Sequence, residues 1–556
     1  MPTTGNKKFV LLATVLMAGL GGGTGTSASA SAPAAEPAAA NGYPELLALF
    51  QDWRAFQQPP LRQGAPDYTA ATMVRRQAEL PAYQSRLAAI DPGAWPVAQR
   101  VDYQLMRAEM NGFDFDVRVL QPWVRDPAFY QSIRTEQSDT PSHEGPTNSA
   151  IVELWTFSFP LSLTEEERLA RDLSVIPPLL AQARGNLTGN ARDLWITGTG
   201  TMKIQLEDLK ALAAKTAQAG AGLRTAIAAA TNATAEFTGW LEAQAPGKSG
   251  PSGIGKENYS WSQQHVHLVP LDWDEEVTLL ERELARAHSS LVLEEQRNRG
   301  LPPLKAVASP QEYQQRANDA ITKYMAFLKD RDILTVEPYL DPAMRAHIGA
   351  FVPEDKREFF SIASHYEPMT LFAHFYHWFD HAWMKQAPNP SPIRREALPF
   401  NIWDSRAEGQ ATAMEELILH AGYYDDNPRA REIVWIMLAQ RCARGLASLY
   451  AQANEFDIAR AKAFQAEWTP RGWMRLDLDL VGFEQQLYLR QPGYGTSYVT
   501  GKYLIDELIK DRAHQLGKEF TLRRFFDEYN AAGLIPVSLI HLQLTGQPLL
   551  LPAVAR

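Results

Sequence analysis

Apolar residues recur every three or four positions over 44–56, 69–90, 97–117, 164–187, 202–230, 274–299, 310–332 and 428–450. That spacing gathers them into one stripe along a 3.6-residue helix, so each stretch predicts an amphipathic helix with a buried face. Alternation with period two is scarce. Only Trp195-Ile-Thr-Gly198 and His265-Val-His-Leu-Val269 read as short strands. The pattern predicts an all-α or nearly all-α fold. Turn-forming residues mark the breaks. Ser138 to Asn148 reads as a surface or lid loop, and 386–393 as a Pro-rich turn. The loop at 245–255 contains Pro-Gly-Lys-Ser-Gly but has neither the Walker spacing nor a preceding strand, so it reads as a flexible connection. No internal repeat is present. Over 43–556 the pattern fits one large helical domain or two lobes around a cleft.

The first residues follow a different rule. Lys7 and Lys8 precede the apolar run Phe9–Leu20, and small residues continue through Ala34. This predicts a signal peptide over 1–32, cut near Ala28–Ala32, then a disordered leader over 33–42. The mature protein is then periplasmic or secreted. The run is short for a membrane span, and no cysteine stands near the cut to carry a lipid, so no membrane anchor is expected. Cys442 is the sole cysteine, which excludes an internal disulfide; inside a helical pattern it reads as a small buried residue. A net charge of −10 without a basic tract excludes nucleic acid and anionic membranes as partners.

The candidate chemistry lies in Leu371-Phe-Ala-His-Phe-Tyr-His-Trp-Phe-Asp-His381. As a helix it directs His374, His377 and His381 to headings of roughly 0°, −60° and −20°, one face. Arg406-Ala-Glu-Gly-Gln410 opens a further helix some thirty residues on and supplies Glu408. Two imidazoles from one helix and a carboxylate from another make a zinc site. On a straight helix His374 and His381 lie about 10 Å apart along the axis, too far for one ion. The chelating pairs are therefore His377 with His381 or His374 with His377, and His377, His381 and Glu408 form the preferred set. Asp404 or Ser405 would cap the second helix and leave Glu408 in its first turn. Glu415 shares the face of Glu408, and Glu416 points to solvent. Tyr494 and Tyr498 flank Gly495, where a tyrosine hydroxyl can donate to a developing oxyanion, and Arg490 can clamp a carboxylate. Phe375 occupies the place of the base that follows the first histidine in His-Glu-x-x-His zinc proteases. Asp380, or Glu367 in the second His/Glu pair His365-Tyr-Glu367, would have to replace it.

Several segments, in order, resemble the bacterial family DUF885, whose fold is similar to helical zinc carboxypeptidases. They include Gln99-Arg-Val-Asp-Tyr-Gln-Leu105, Trp123-Val-Arg-Asp-Pro-Ala-Phe-Tyr130 and Gly253-Ile-Gly-Lys-Glu-Asn-Tyr259. Ala407-Glu-Gly-Gln-Ala411, Gln491-Pro-Gly-Tyr-Gly-Thr-Ser-Tyr-Val-Thr-Gly501 and Phe525-Phe-Asp-Glu-Tyr-Asn-Ala-Ala-Gly-Leu-Ile-Pro536 match best. The family's His-Glu-x-Tyr-Pro-Gly-His-His falls on His374 to His381, with Phe375 for Glu, Trp378-Phe379 for Pro-Gly and Asp380 for the penultimate His. Ser448, Gln452 and Phe526 replace three further polar residues of the family pattern. The resemblance implies a zinc-peptidase-like cleft and a hydrolase acting on a peptide or another small amide or ester. The alternative is a binding protein or pseudoenzyme that keeps the cleft.

Overall fold

The computed structural model describes residues 42–141, 144–400 and 404–549. The predicted signal peptide and nearly all of the leader lie outside these residues. Helices account for the fold. Among the described residues, strands are confined to two-residue pieces, an antiparallel pair at Leu61–Arg62 and Ala65–Pro66 and a parallel pair at Ile133–Arg134 and Val152–Glu153. The described helices belong to one packing unit, Ala40–Arg556. Their apolar faces meet in a core that runs from Leu46 to Ile540. No described helix is long and apolar enough to cross a membrane.

Most predicted stripes become helices with shifted ends. Two split. The stripe at 164–187 gives Leu163–Leu173 and Ile176–Asn186, because Pro177 and Pro178 open the second helix and lack the N–H that continuation needs. The stripe at 202–230 gives Arg192–Lys215 and Ala221–Gln244, parted at Gly220. Both predicted strands are corrected. Trp195 to Gly198 lies inside the helix Arg192–Lys215, where Thr197 and Thr199 return their hydroxyls to the carbonyls of Asp193 and Trp195, each at 2.8 Å. His265 falls in a π-helical turn, Gln263–His267, which Leu268 ends at φ 54°. A second π-turn, Asp116–Leu120, ends the helix Val97–Phe115. The two regions touch through Phe115 on Trp261 (5.8 Å) and the Asn111 amide on the His265 carbonyl (2.9 Å).

Three helices frame the candidate chemistry: the Glu helix Asp404–His420, the Arg helix Ala430–Gln452 and the Tyr helix Tyr494–Leu516. Gly409 of the first lies directly on Gly501 of the third, and a methyl on Gly501 would overlap the Ser405 carbonyl. The absence of side chains there lets the two backbones approach. Gly493 starts the Tyr helix at φ 91°, a left-handed conformation suited to glycine.

Candidate functional site

The segment 368–386 is not the straight helix that its pattern predicts. Pro368–Phe372 is helical, Ala373–Phe375 forms a 3-10 turn, and Tyr376–Gln386 resumes the α-helix. The change of pitch matters because a 3-10 turn has three residues per turn and eclipses i with i+3. His374 and His377 are so placed, their rings 5.0 Å apart. His381 is carried further along and its Nε2 donates to the Asp139 carbonyl at 3.0 Å. The group brought together is therefore His374, His377 and Glu408, whose ligand atoms lie within 4.8 Å of one another. The preferred set with His381 gives way to the i,i+3 pair.

Glu408 is the centre of the group. Its Oε2 lies 3.3 Å from His374 Nε2 and 3.2 Å from His377 Nε2, and its Oε1 accepts a very short hydrogen bond from the Tyr494 hydroxyl. All are buried; His374, at 8%, and Tyr498, at 7%, retain the most exposure. Burial opposes charge on Glu408, yet His377 and His374 outweigh it and hold the carboxyl well below the usual range. Burial likewise opposes the His377 imidazolium, but Glu408 carries its pKa up to about 9.

These atoms fit a divalent ion. Bonds of about 2.0–2.1 Å in tetrahedral array place ligand atoms roughly 3.3 Å apart, the separation of each imidazole Nε2 from Glu408 Oε2. A carboxylate also stands behind one ligand, since Glu415 Oε1 lies 3.0 Å from His374 Nδ1. A competing arrangement is built from the same residues. Arg441 Nη2 lies 3.1 Å from that Nδ1. If Nδ1 accepts from Arg441, the ring proton sits on Nε2 and points at Glu408. If Nδ1 donates to Glu415, Nε2 is free to bind metal. Among the described residues, His377 Nδ1 is buried with no hydrogen-bond partner.

Around this group the other predicted residues take varied positions. Tyr498 stacks on His374 at 5.9 Å, and the Arg444 guanidinium lies 3.7 Å from the centre of its ring. Tyr494 touches Glu408 and Glu144. Asp380 is locked in a buried bidentate pair with Arg406, both contacts 3.0 Å, so it is not a free base. Glu367 precedes the helix at Pro368 without a side-chain cap, and its carboxylate accepts from Asn427 at 2.8 Å. Its partner in the predicted pair is also engaged elsewhere: His365 Nε2 accepts from the Val352 N–H at 3.0 Å. Arg490 is no free clamp, because Asp126 at 2.5 Å and the Pro146 carbonyl at 2.8 Å hold it. Glu416 is not solvated: it pairs with Arg286 at 2.7 Å and Lys502 at 3.2 Å. Glu408 sits in the second turn of its helix, with Asp404 accepting from Gln491 at 2.8 Å. Cys442 is fully buried, as expected.

Glu144 is a residue the sequence reading missed. It comes from the 138–148 loop and lies 3.3 Å from the Tyr494 hydroxyl. Burial, then Asp139 and Glu408, raise its pKa well above the ordinary carboxyl range. Glu408 and Glu144 both stand within hydrogen-bond reach of the Tyr494 hydroxyl, whose single proton can serve one of them at a time. No local signal distinguishes Glu144. Arg441 and Arg444 did have one, as two charges spaced i,i+3 in the middle of a helix whose other charges, Arg431 and Glu432, lie in its first turn.

Comparison with known proteins agrees with the fold. The family described as "Bacterial protein of unknown function (DUF885)" matches residues 57–544. No curated protein matches. A solved structure described as "a putative lipoprotein of unknown function" from Shewanella oneidensis is similar over 90% of this chain and 99% of its own, at 15% identity and a TM-score of 0.68. A "putative lipoprotein" from Colwellia psychrerythraea is similar over 91% of this chain and 98% of its own, at 14% identity and a TM-score of 0.60.

Proposed function

The chain belongs to the DUF885 family, and we propose that it is an exported metal-dependent hydrolase acting on a peptide or another small amide or ester. The observation that carries this reading is the convergence of His374 Nε2, His377 Nε2 and the Glu408 carboxylate at separations of 3.2 and 3.3 Å. Those three residues would hold the ion. When bound, a divalent ion such as zinc supplies Lewis-acid polarisation of a carbonyl and lowers the pKa of water. The protein's own groups have separable tasks. Glu415 orients His374 through Nδ1. Glu144 takes the proton-transfer role that Phe375 cannot fill. Its raised pKa owes part of its shift to the negative Glu408. Burial and Asp139 contribute more to that shift and keep the carboxyl where it can both take up and release a proton near neutral pH. Tyr498, stacked on His374, offers a hydroxyl to a developing oxyanion, and Arg444 over its ring adds positive charge. The basic n-region at Lys7 and Lys8 and the lipoprotein descriptions of the two solved neighbours support export.

One observation favours a non-catalytic binding protein instead: Glu408 is already satisfied by two histidines and Tyr494, with Arg441 placed to fix the tautomer that excludes metal. Metal analysis separates the readings. Protein dialysed against zinc should carry about one equivalent, His377→Ala should carry nearly none, and zinc-loaded wild type should cleave members of a peptide library. Glu144→Gln should slow cleavage by roughly 10²–10⁴-fold while retaining zinc. Wild type without bound zinc would establish the binding-protein reading. Phe375→Glu should not accelerate cleavage, because its ring is stacked on Phe372 at 4.8 Å.

A further inference from the structure

Away from the histidines, a cavity of about 590 Å³ opens between the helix Val97–Phe115 with its π-turn, the π-turn Gln263–His267 and residues 145–149. Gly145 and Gln491 form part of its wall. The Gly145 N–H donates to Gln491 at 2.7 Å, and Gln491 passes on to Asp404 at 2.8 Å, one turn before Glu408. We propose that this cavity binds a small organic ammonium carried on an apolar or aromatic body, with Asp116 as its counter-ion.

Three features carry the assignment. The first is the lining. Tyr68, Phe113, Phe115, Trp123, Phe129 and Phe400 surround the space, and ring faces attract cations. The second is Asp116 itself. Among the described residues its carboxylate has no hydrogen-bond donor and no cation, and the one charged group acting on it is the negative Glu109. Glu109 is satisfied elsewhere, by Gln57 at 2.7 Å and the Phe400 N–H at 3.4 Å. The two arginines in the wall are engaged too. Arg54 donates to Gln57 at 3.0 Å. Arg76 donates to the carbonyls of Phe56 and Gln57 at 2.7 and 2.9 Å and lies about 5 Å from the rings of Phe56 and Phe113. Asp116 is half-buried in a wall that mixes these rings with polar side chains, and a carboxylate there without a donor gains when a cation arrives. The third is the backbone. Asp116 opens one π-turn, and the facing wall contains the other. Such turns are rare and cluster at functional sites. Burial and Glu109 also lift Asp116 to about 7.

The proposal does not depend on the metal reading and is tested by binding alone. Titration calorimetry of the full chain with 2-phenylethylamine, 2-phenylethanol and phenylacetate varies the charge at nearly constant shape. The amine should bind at least tenfold more tightly than the alcohol, and phenylacetate should show no binding. Asp116→Asn should bring the amine down to the level of the alcohol. Leu120→Trp, which fills the cavity from its wall, should abolish amine binding while the thermal unfolding midpoint is retained. Equal binding of amine and alcohol by wild type would overturn the proposal, as would no binding of any probe. So would amine binding unchanged in either folded variant. If Asp116→Asn does not fold, the three-probe comparison on wild type and the Leu120→Trp result decide alone.

Discussion

The helix Ala221–Gln244 and the Glu helix Asp404–His420 solve opposite problems. The first buries seven of its twenty-four residues, Leu223, Ile227, Ala230, Thr234, Phe237, Thr238 and Leu241, along one stripe. The second buries fourteen of seventeen, among them Arg406, Glu408, Gln410 and Glu415. A striped helix is held by area removed from water, and its polar face is free to vary. A helix buried all round must find a partner for every charge it carries. Where the two differ, buried polarity marks the candidate site more sharply than any motif.

The comparison can be broken most directly at Arg406. Removing its guanidinium leaves Asp380 buried without its bidentate partner, so Arg406→Ala should cost about 3–5 kcal/mol in urea unfolding. A loss below 1 kcal/mol, roughly the ceiling for a surface pair, would mean that the buried charges add little to this helix packing. A smaller effect should come from acid. Burial and the neighbouring Arg357 lower the pKa of His365 to about 4. Its unfolded value is near 6.5, so the unfolded chain binds more protons between these limits. The His365 contribution is therefore full above about 6.5 and declines as pH falls toward 4. The urea midpoint should drop between pH 7 and pH 5, and His365→Gln should flatten that slope. An identical slope in the variant would remove His365 from the explanation. The smallest change belongs to the striped helix, where Ile227→Val should cost about 0.5–1.5 kcal/mol by the same measurement. A cost matching that of Arg406→Ala would erase the distinction between the two helices.

The same contrast explains what could be read from the chain. Stripes at 69–90, 274–299 and 310–332 predicted helices because one side alone is buried, and the observed helices Ala70–Ala88, Trp273–Arg297 and Pro310–Asp330 follow them closely. The family motifs around Glu408, Tyr494 and Tyr498 marked residues that do converge. The 3-10 turn at Ala373–Phe375 was not legible, since neither Pro nor Gly announces it, and it decides which histidines meet. Nor could spacing show that Arg406 holds Asp380, or that Asp126 holds Arg490. Those pairings join residues 26 and 364 positions apart, and only packing brings them together. Glu144 belongs to the same class, a loop carboxylate defined by what folds onto it.

The contact of Gly409 with Gly501 has a mechanical meaning. It fixes the gap between the helix that presents Glu408 and the helix that presents Tyr494 and Tyr498. One added methyl at Gly501 would act as a shim and pry the two helices apart. The reach from carboxylate to hydroxyl can thus be retuned from beneath, with every functional side chain left as it is.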